Sequence, residues 1–209
     1  MPEASGKPGI HRPSKTDTAR TLATSLVRWA TRRPLPEQAE DARRFAHSSD
    51  ARQTVTLLVV LETVTALCTS AMLPPAFRAC HAAFEALLVL AGFGAVAAMA
   101  RSPHLVSPSR LVLRTGCFGS LTVPGASVAS VTRVTRTVTG LGVRRVPGEP
   151  RAVACSAGGA VDLCLRLDPP AALDLGKSGV TTEVDTVYIS ADAPRAFAQA
   201  VREAAALRH

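Results

Sequence analysis

The sequence predicts a membrane α-hairpin joined to a soluble α+β domain. Two apolar stretches stand side by side, each of about 20 residues, enough to cross a hydrocarbon core of roughly 30 Å as a helix. A Pro-Pro pair separates them. Beyond them, short Val/Thr/Leu runs alternate with Gly and Pro, the punctuation of antiparallel strands, and the chain closes on an amphipathic stretch.

The first apolar stretch, Thr54 to Leu73, reads TVTLLVVLETVTALCTSAML, and the second, Ala79 to Ala100, reads ACHAAFEALLVLAGFGAVAAMA. The connecting LPPAFR is so short that the two helices must run antiparallel, and its prolines, lacking N–H donors, stop the first. Neither stretch carries the polar stripe of a soluble amphipathic helix, which favours spanning over burial in a soluble core. Residues 1–53 hold ten Lys and Arg, residues 101–209 hold thirteen, and the loop holds only Arg78. Cytoplasmic flanks collect these residues, so both termini are expected in the cytoplasm and the chain in the cell (inner) membrane. Arg52 and Arg101 mark the inner boundaries.

Glu62 and Glu85 interrupt the two spans. A charge at the bilayer centre costs about 2.5–3.5 kcal/mol on insertion scales, so each carboxyl is expected to be protonated or buried against a helix. Two readings stand: hydrogen bonds to Thr63, Thr65 or Thr69, or contact with a partner subunit or an ion path. The small-residue run Ala91 to Ala95 allows close helix packing.

Residues 1–16, rich in Pro, Gly and charge, are expected to form a disordered tail. Residues 17–53 read as a basic cytoplasmic helical segment. Asp17 is the expected cap of a helix from Thr18 to Arg33, with Leu22, Leu26 and Trp29 on one face and arginines on the others. A basic helix with a Trp suits the inner membrane surface, which makes Trp29 a candidate membrane contact. A second polar helix, Glu37–His47, is expected to lead into the hairpin at 54–100. The apolar h-region of a cleavable signal peptide is not expected in this stretch.

Residues 101–209 read as a β domain. The expected strands are Arg110–Arg114, Gly119–Val123, Val128–Thr137, Gly142–Val146, Ala152–Ser156, Ala160–Leu167 and Thr186–Ser190, with a hairpin turn at Ala157–Ala160. Ala193–Leu207 follows as a helix, its Phe197, Val201 and Ala205 forming a face that packs on the sheet. The run SRLVLRTGCFGSLTVPGASVASV resembles the opening strands of pleckstrin-homology-like (PH-like) domains in small two-span membrane proteins of high-GC bacteria. VDTVYISADAPRAFAQAVREA resembles their last strand, turn and helix. The resemblance covers about half the chain and rests on pattern. It implies a PH-like seven-stranded split barrel with a C-terminal helix, and binding rather than catalysis. Eukaryotic lipid-binding relatives cluster Lys and Arg at the first hairpin, whereas here only Arg110 and Arg114 flank Cys117 and Phe118. The stronger basic cluster is Arg133, Arg136, Arg144, Arg145 and Arg151, which either meets a membrane or partner or is a solvated sheet face.

The residues offer no chemistry. P-loop, dinucleotide-binding, HExxH, GxSxG and EF-hand patterns are missing, and Asp162, Asp168, Asp174 and Asp185 have no paired His. The five cysteines (Cys68, Cys80, Cys117, Cys155, Cys164) are odd in number and irregular in spacing, which reads as reduced, buried thiols. The net charge of +8 would suit nucleic acid, but Trp29 and Tyr188 are the only Trp and Tyr, too few for base stacking. The expectation is therefore a non-enzymatic integral membrane protein. It has no cofactor, metal, nucleic acid or small-molecule substrate, and its partner is another protein or a second copy of itself. A subunit of a transport or envelope complex is the alternative.

Overall fold

The computed structural model describes residues 9–11, 13–32, 42–174 and 181–206. These form β1 (Gly9–His11), α1 (Lys15–Ala30), β2 (Arg43–Phe45), α2 (Ser49–Met72) and α3 (Pro75–Ala100). Then come β3 (His104–Val106), β4 (Arg110–Arg114), β5 (Ser120–Pro124), β6 (Val128–Thr137), β7 (Gly142–Val146), β8 (Glu149–Ser156), β9 (Ala160–Asp174), β10 (Thr181–Ile189) and α4 (Pro194–Ala206).

The helical hairpin is present, and its turn is tighter than LPPAFR suggests. Pro75 is the first residue of α3, a position where its missing N–H is no loss, so only Leu73 and Pro74 lie between the helices. At about 1.5 Å per residue, the 24 residues of α2 and the 26 of α3 are each long enough to cross a membrane. They approach closely at Gly92, where a Cβ would collide with Cγ2 of Val59, the one buried residue of α2.

The remaining residues form an α+β unit of two five-stranded sheets and α4. The first sheet runs β1-β5-β4-β3-β2 and is antiparallel throughout. The second runs β6-β9-β10-β8-β7, antiparallel except for the parallel pair β8–β10. Leu111, Leu113, Leu121 and Val123 of the first sheet share one core with Leu163, Leu165, Val187 and Ile189 of the second and with Phe197 and Val201 of α4. The alternation of buried and outward residues along β4 and β5 is what puts these side chains on one face.

The seven expected strands appear as β4–β10, with three short ones added. β1 lies inside the stretch read as a disordered tail, where it pairs with β5. β2 replaces the end of the expected helix Glu37–His47 and pairs with β3; the start of that helix lies outside the described residues. Strands of three residues are too short to show an alternating pattern, so pairing to a longer neighbour overrides local composition. β9 continues beyond Leu167, because Pro169 and Pro170 fall where the β9–β10 register shifts between Val184 and Thr186 and no ladder bond is needed.

α1 also differs in detail. Its cap is Ser14, with Asp17 three residues on completing a capping box rather than serving as the cap itself. Thr18, Leu22, Ser25 and Leu26 form its half-buried face, and α1 packs along α3, with Leu22 against Gly94. Trp29 is 49% exposed.

The pairing of β2 with β3 has a topological consequence. The whole helical hairpin is the connection between two adjacent antiparallel strands, so both of its ends enter the same sheet. The segments before α2 and after α3 therefore lie on one side of the hairpin, by geometry and independently of charge.

Candidate functional site

The base of the hairpin is where the helices and the sheets are locked together. Ser48, in the left-handed region at φ 66°, turns the chain from β2 into α2, and its side chain does not cap the helix. The cap comes from the β domain: the Asp192 carboxylate accepts from the Ser49 N–H at 2.8 Å and pairs with Arg52 at 3.2 Å. A carboxylate at a helix N-terminus satisfies an orphan donor and opposes the positive end of the dipole. The backbone N–H of Asp192 in turn donates to Ala46.

Next to this cap a chain of four aromatic rings crosses the junction. His47 stacks on His104 with centroids 4.3 Å apart, His104 meets Phe197 edge-on at 5.9 Å, and Phe197 meets Phe45 at 5.2 Å. Both imidazoles are buried and their tautomers are fixed by their neighbours. Nδ1 of His104 accepts from the Arg114 N–H at 3.0 Å, so Nε2 carries the proton and donates to the Ser190 carbonyl at 2.9 Å. Nε2 of His47 donates to the Ser102 carbonyl at 2.7 Å, and its Nδ1 contacts the Ser48 hydroxyl. Burial and the adjacent His47 push His104 down to about 3, and burial lowers His47 as well. The pair is neutral and structural, joining the residues that enter α2 to those that leave α3.

Above this base the helices are bare. Of the fifteen large apolar side chains exposed among the described residues, twelve lie on α2 and α3, from Leu57 to Leu90. Only 6% of the most apolar stretch of α2 and 22% of that of α3 is buried, where the core helix of a soluble protein would be mostly covered. An exposed apolar surface of this extent marks contact with a membrane or with other helices.

The carboxylates of the two long helices part company. Glu85 lies inside the hairpin, with Oε1 3.5 Å from His81 Nε2, while His81 Nδ1 lies 3.0 Å from the Ser70 hydroxyl of α2. Its partner is thus a histidine one turn away, not the threonines expected; Thr63 instead donates to its own helix at Val59. Oε2 of Glu85 is buried with no hydrogen-bond partner among the described residues. Glu62 sits near the middle of α2 on the exposed face.

The basic cluster singled out from sequence is dispersed over the second sheet and largely tied up. Arg136 pairs with Glu149 and lies 5.1 Å over the Tyr188 ring, whose hydroxyl donates to the same carboxylate at 3.0 Å. Arg151 bonds Asp185 at 3.0 Å and approaches Glu183, and Arg145 donates to the Thr182 hydroxyl. Arg144 is a backbone staple: its guanidinium donates to the carbonyls of Val138, Thr139 and Gly142, closing the turn around Gly140. Arg133 is exposed on β6. The five strands of the first sheet contain Arg43, Arg44, Arg110 and Arg114 and no carboxylate, and Arg43 pairs with Glu203 of α4. Arg114 is lowered by burial and by the nearby Arg44 and Arg110, a grouping of like charges that brings together residues 66 and 70 positions apart. Arg44 had no place in the sequence reading because β2 was read as helix.

All five cysteines are free. Cys117, Cys155 and Cys164 are buried as expected, and burial raises each thiol, Cys155 to about 12, which leaves them unreactive. Cys68 and Cys80 are exposed on the helices, a correction that follows from the bare helix faces. Among the described residues no three His, Cys, Asp or Glu side chains form a group able to hold a metal ion. No family model, curated protein or solved structure matches the chain.

Proposed function

We propose that this chain is a non-enzymatic integral membrane protein whose hairpin crosses the bacterial inner membrane and holds a PH-like interaction domain against the inner leaflet. One observation carries the reading: two long helices expose apolar side chains along their length, while both their bases are locked into one sheet. A soluble protein has no reason to raise such a hairpin out of its fold. The excess of Lys and Arg on the two flanks supports a cytoplasmic domain. The PH-like assignment rests on the order of strands and the closing helix; β1–β3 are additions to that pattern, and the parallel β8–β10 pair departs from the antiparallel sheet it implies.

The surface suited to an acidic partner or anionic headgroups is the β4 part of the first sheet, around Arg110 and Arg114, more than the neutralised cluster around Arg136 and Arg151. Extraction of cell membranes at alkaline pH tests the anchor. The chain stays with the lipid pellet until detergent is added; release into the alkaline supernatant would refute the reading.

Glu62 supports a second reading, in which the hairpin is a subunit of a membrane complex. A carboxyl facing lipid near mid-span carries an uncompensated cost, and a partner helix that hydrogen-bonds it removes that cost. Glu62→Gln separates the two. A co-purifying species lost in the variant supports a subunit; an unchanged particle supports a self-sufficient anchor.

A further inference from the structure

We propose that the junction between hairpin and domain holds a binding site for a cationic amphiphile, a molecule with an amine head and an apolar tail. A cavity of about 610 Å³ opens there, lined by the first turns of α2, the end of α3, the Gly116–Phe118 turn, and the loops at 141, 157–160 and 190–194 of the β domain. Each of these segments comes from a different part of the chain, so the space exists only in the assembled fold.

The lining divides by chemistry. Val55, Ala95, Met99, Phe118 and Leu141 supply apolar wall, some of it one to two turns up the helices from the base. Three carboxylates also line the cavity: Asp50, Asp162 and Asp192. Asp192 is already balanced by Arg52 and the α2 N-terminus. Neither Asp50 nor Asp162 has a basic side chain within ion-pair distance among the described residues. In a chain of net charge +8, two acids without a basic partner lining one mostly apolar cavity, Asp50 of them offset only by the α2 N-terminus it shares with Asp192, are a local inversion of the overall charge. An anion is repelled there, and a wholly apolar guest leaves the carboxylates to be desolvated unpaired. A protonated amine answers both acids, and its tail covers the apolar wall.

Two sources share this chemistry: an aminophospholipid that enters from the bilayer, or a free hydrophobic amine. Only the lipid source rests on α2 and α3 being membrane spans, and alkaline extraction tests that separately. The experiment is thermal unfolding of the full chain in uncharged maltoside micelles with added octylamine, octanol or lysophosphatidylethanolamine. Octylamine is expected to raise the midpoint by roughly 5–10 °C at a hundred-fold excess over its Kd, and octanol to leave it in place. An equal response to lysophosphatidylethanolamine identifies the lipid source; a response to octylamine alone identifies the free amine. The Asp50→Asn/Asp162→Asn double variant is expected to lose the response. Leu141→Trp, at an exposed position on the rim, blocks the cavity without touching the carboxylates and is expected to lose it too. A shift with octanol as large as with octylamine, or a full response in both variants, overturns the proposal.

Discussion

Phe197→Ala is expected to destabilise the β domain by about 3–5 kcal/mol, the range for removing a fully buried aromatic ring. Phe197 is 0% exposed and is the largest fully buried side chain. It belongs to the main core, and its ring also touches His104 and Phe45, so it ties α4 to both strands that flank the hairpin. The loss is therefore expected to spread: the core gains a cavity, and the ring chain loses its central member. Thermal unfolding of the full chain in mild detergent, followed by circular dichroism, checks this. Phe197→Leu refills most of the volume and is expected to recover more than half the loss. A cost below about 1 kcal/mol for the alanine variant would show that α4 is not part of the shared core.

The second large effect is acid sensitivity below pH 6.5. An unfolded histidine titrates near 6.5, whereas both His47 and His104 are lowered in the folded chain, His104 to about 3. Between those values the unfolded state binds more protons, so stability falls as pH falls. The His104 contribution is fully present above pH 6.5 and is lost progressively toward pH 3, at up to about 1.4 kcal/mol per pH unit, and the lowered His47 steepens the loss below pH 6.5. The groups facing the pair do not reverse the sign. The Ser102 carbonyl and Asp192 favour protonation of His47 and the Ser190 carbonyl that of His104, but burial outweighs them, Arg52 opposes protonation of His47, and His47 and Arg114 oppose that of His104. His104→Gln keeps a neutral hydrogen-bonding side chain and is expected to flatten the acid slope by up to about 1.4 kcal/mol per pH unit while lowering stability at neutral pH. A slope unchanged in that variant would assign the acid response to the carboxylates instead.

Both effects centre on a junction that the sequence hardly announces. The two helices are legible because a long apolar run needs no partner to be recognised, and β4–β10 because Gly and Pro mark their ends. Ser14 and Asp17 even carry a legible capping box, although the cap itself was read one turn late. The junction is different in kind. His47 and His104 are 57 positions apart, and neither stands in any motif. β2 and β3 are three residues each, and the helical hairpin between them hides their pairing. The Arg cluster was legible as charge but not as ion pairs, since Glu149, Glu183 and Asp185 reach it only through the strand register. Pairing across a sheet decides all of these, and composition does not encode it.

The central claim is that the hairpin crosses a membrane and that the domain at its base stays on the cytoplasmic side. Labelling with a membrane-impermeant maleimide tests it most directly, in a Cys68→Ser/Cys80→Ser background where the three remaining thiols are buried. Met72→Cys places a thiol at the hairpin tip, at a position 87% exposed, and Ser130→Cys places one on the exposed face of β6. The tip thiol is expected to react in sealed cells, and the domain thiol only after permeabilisation. Reaction of the domain thiol in sealed cells, or protection of the tip thiol until the membrane is opened, would contradict the account.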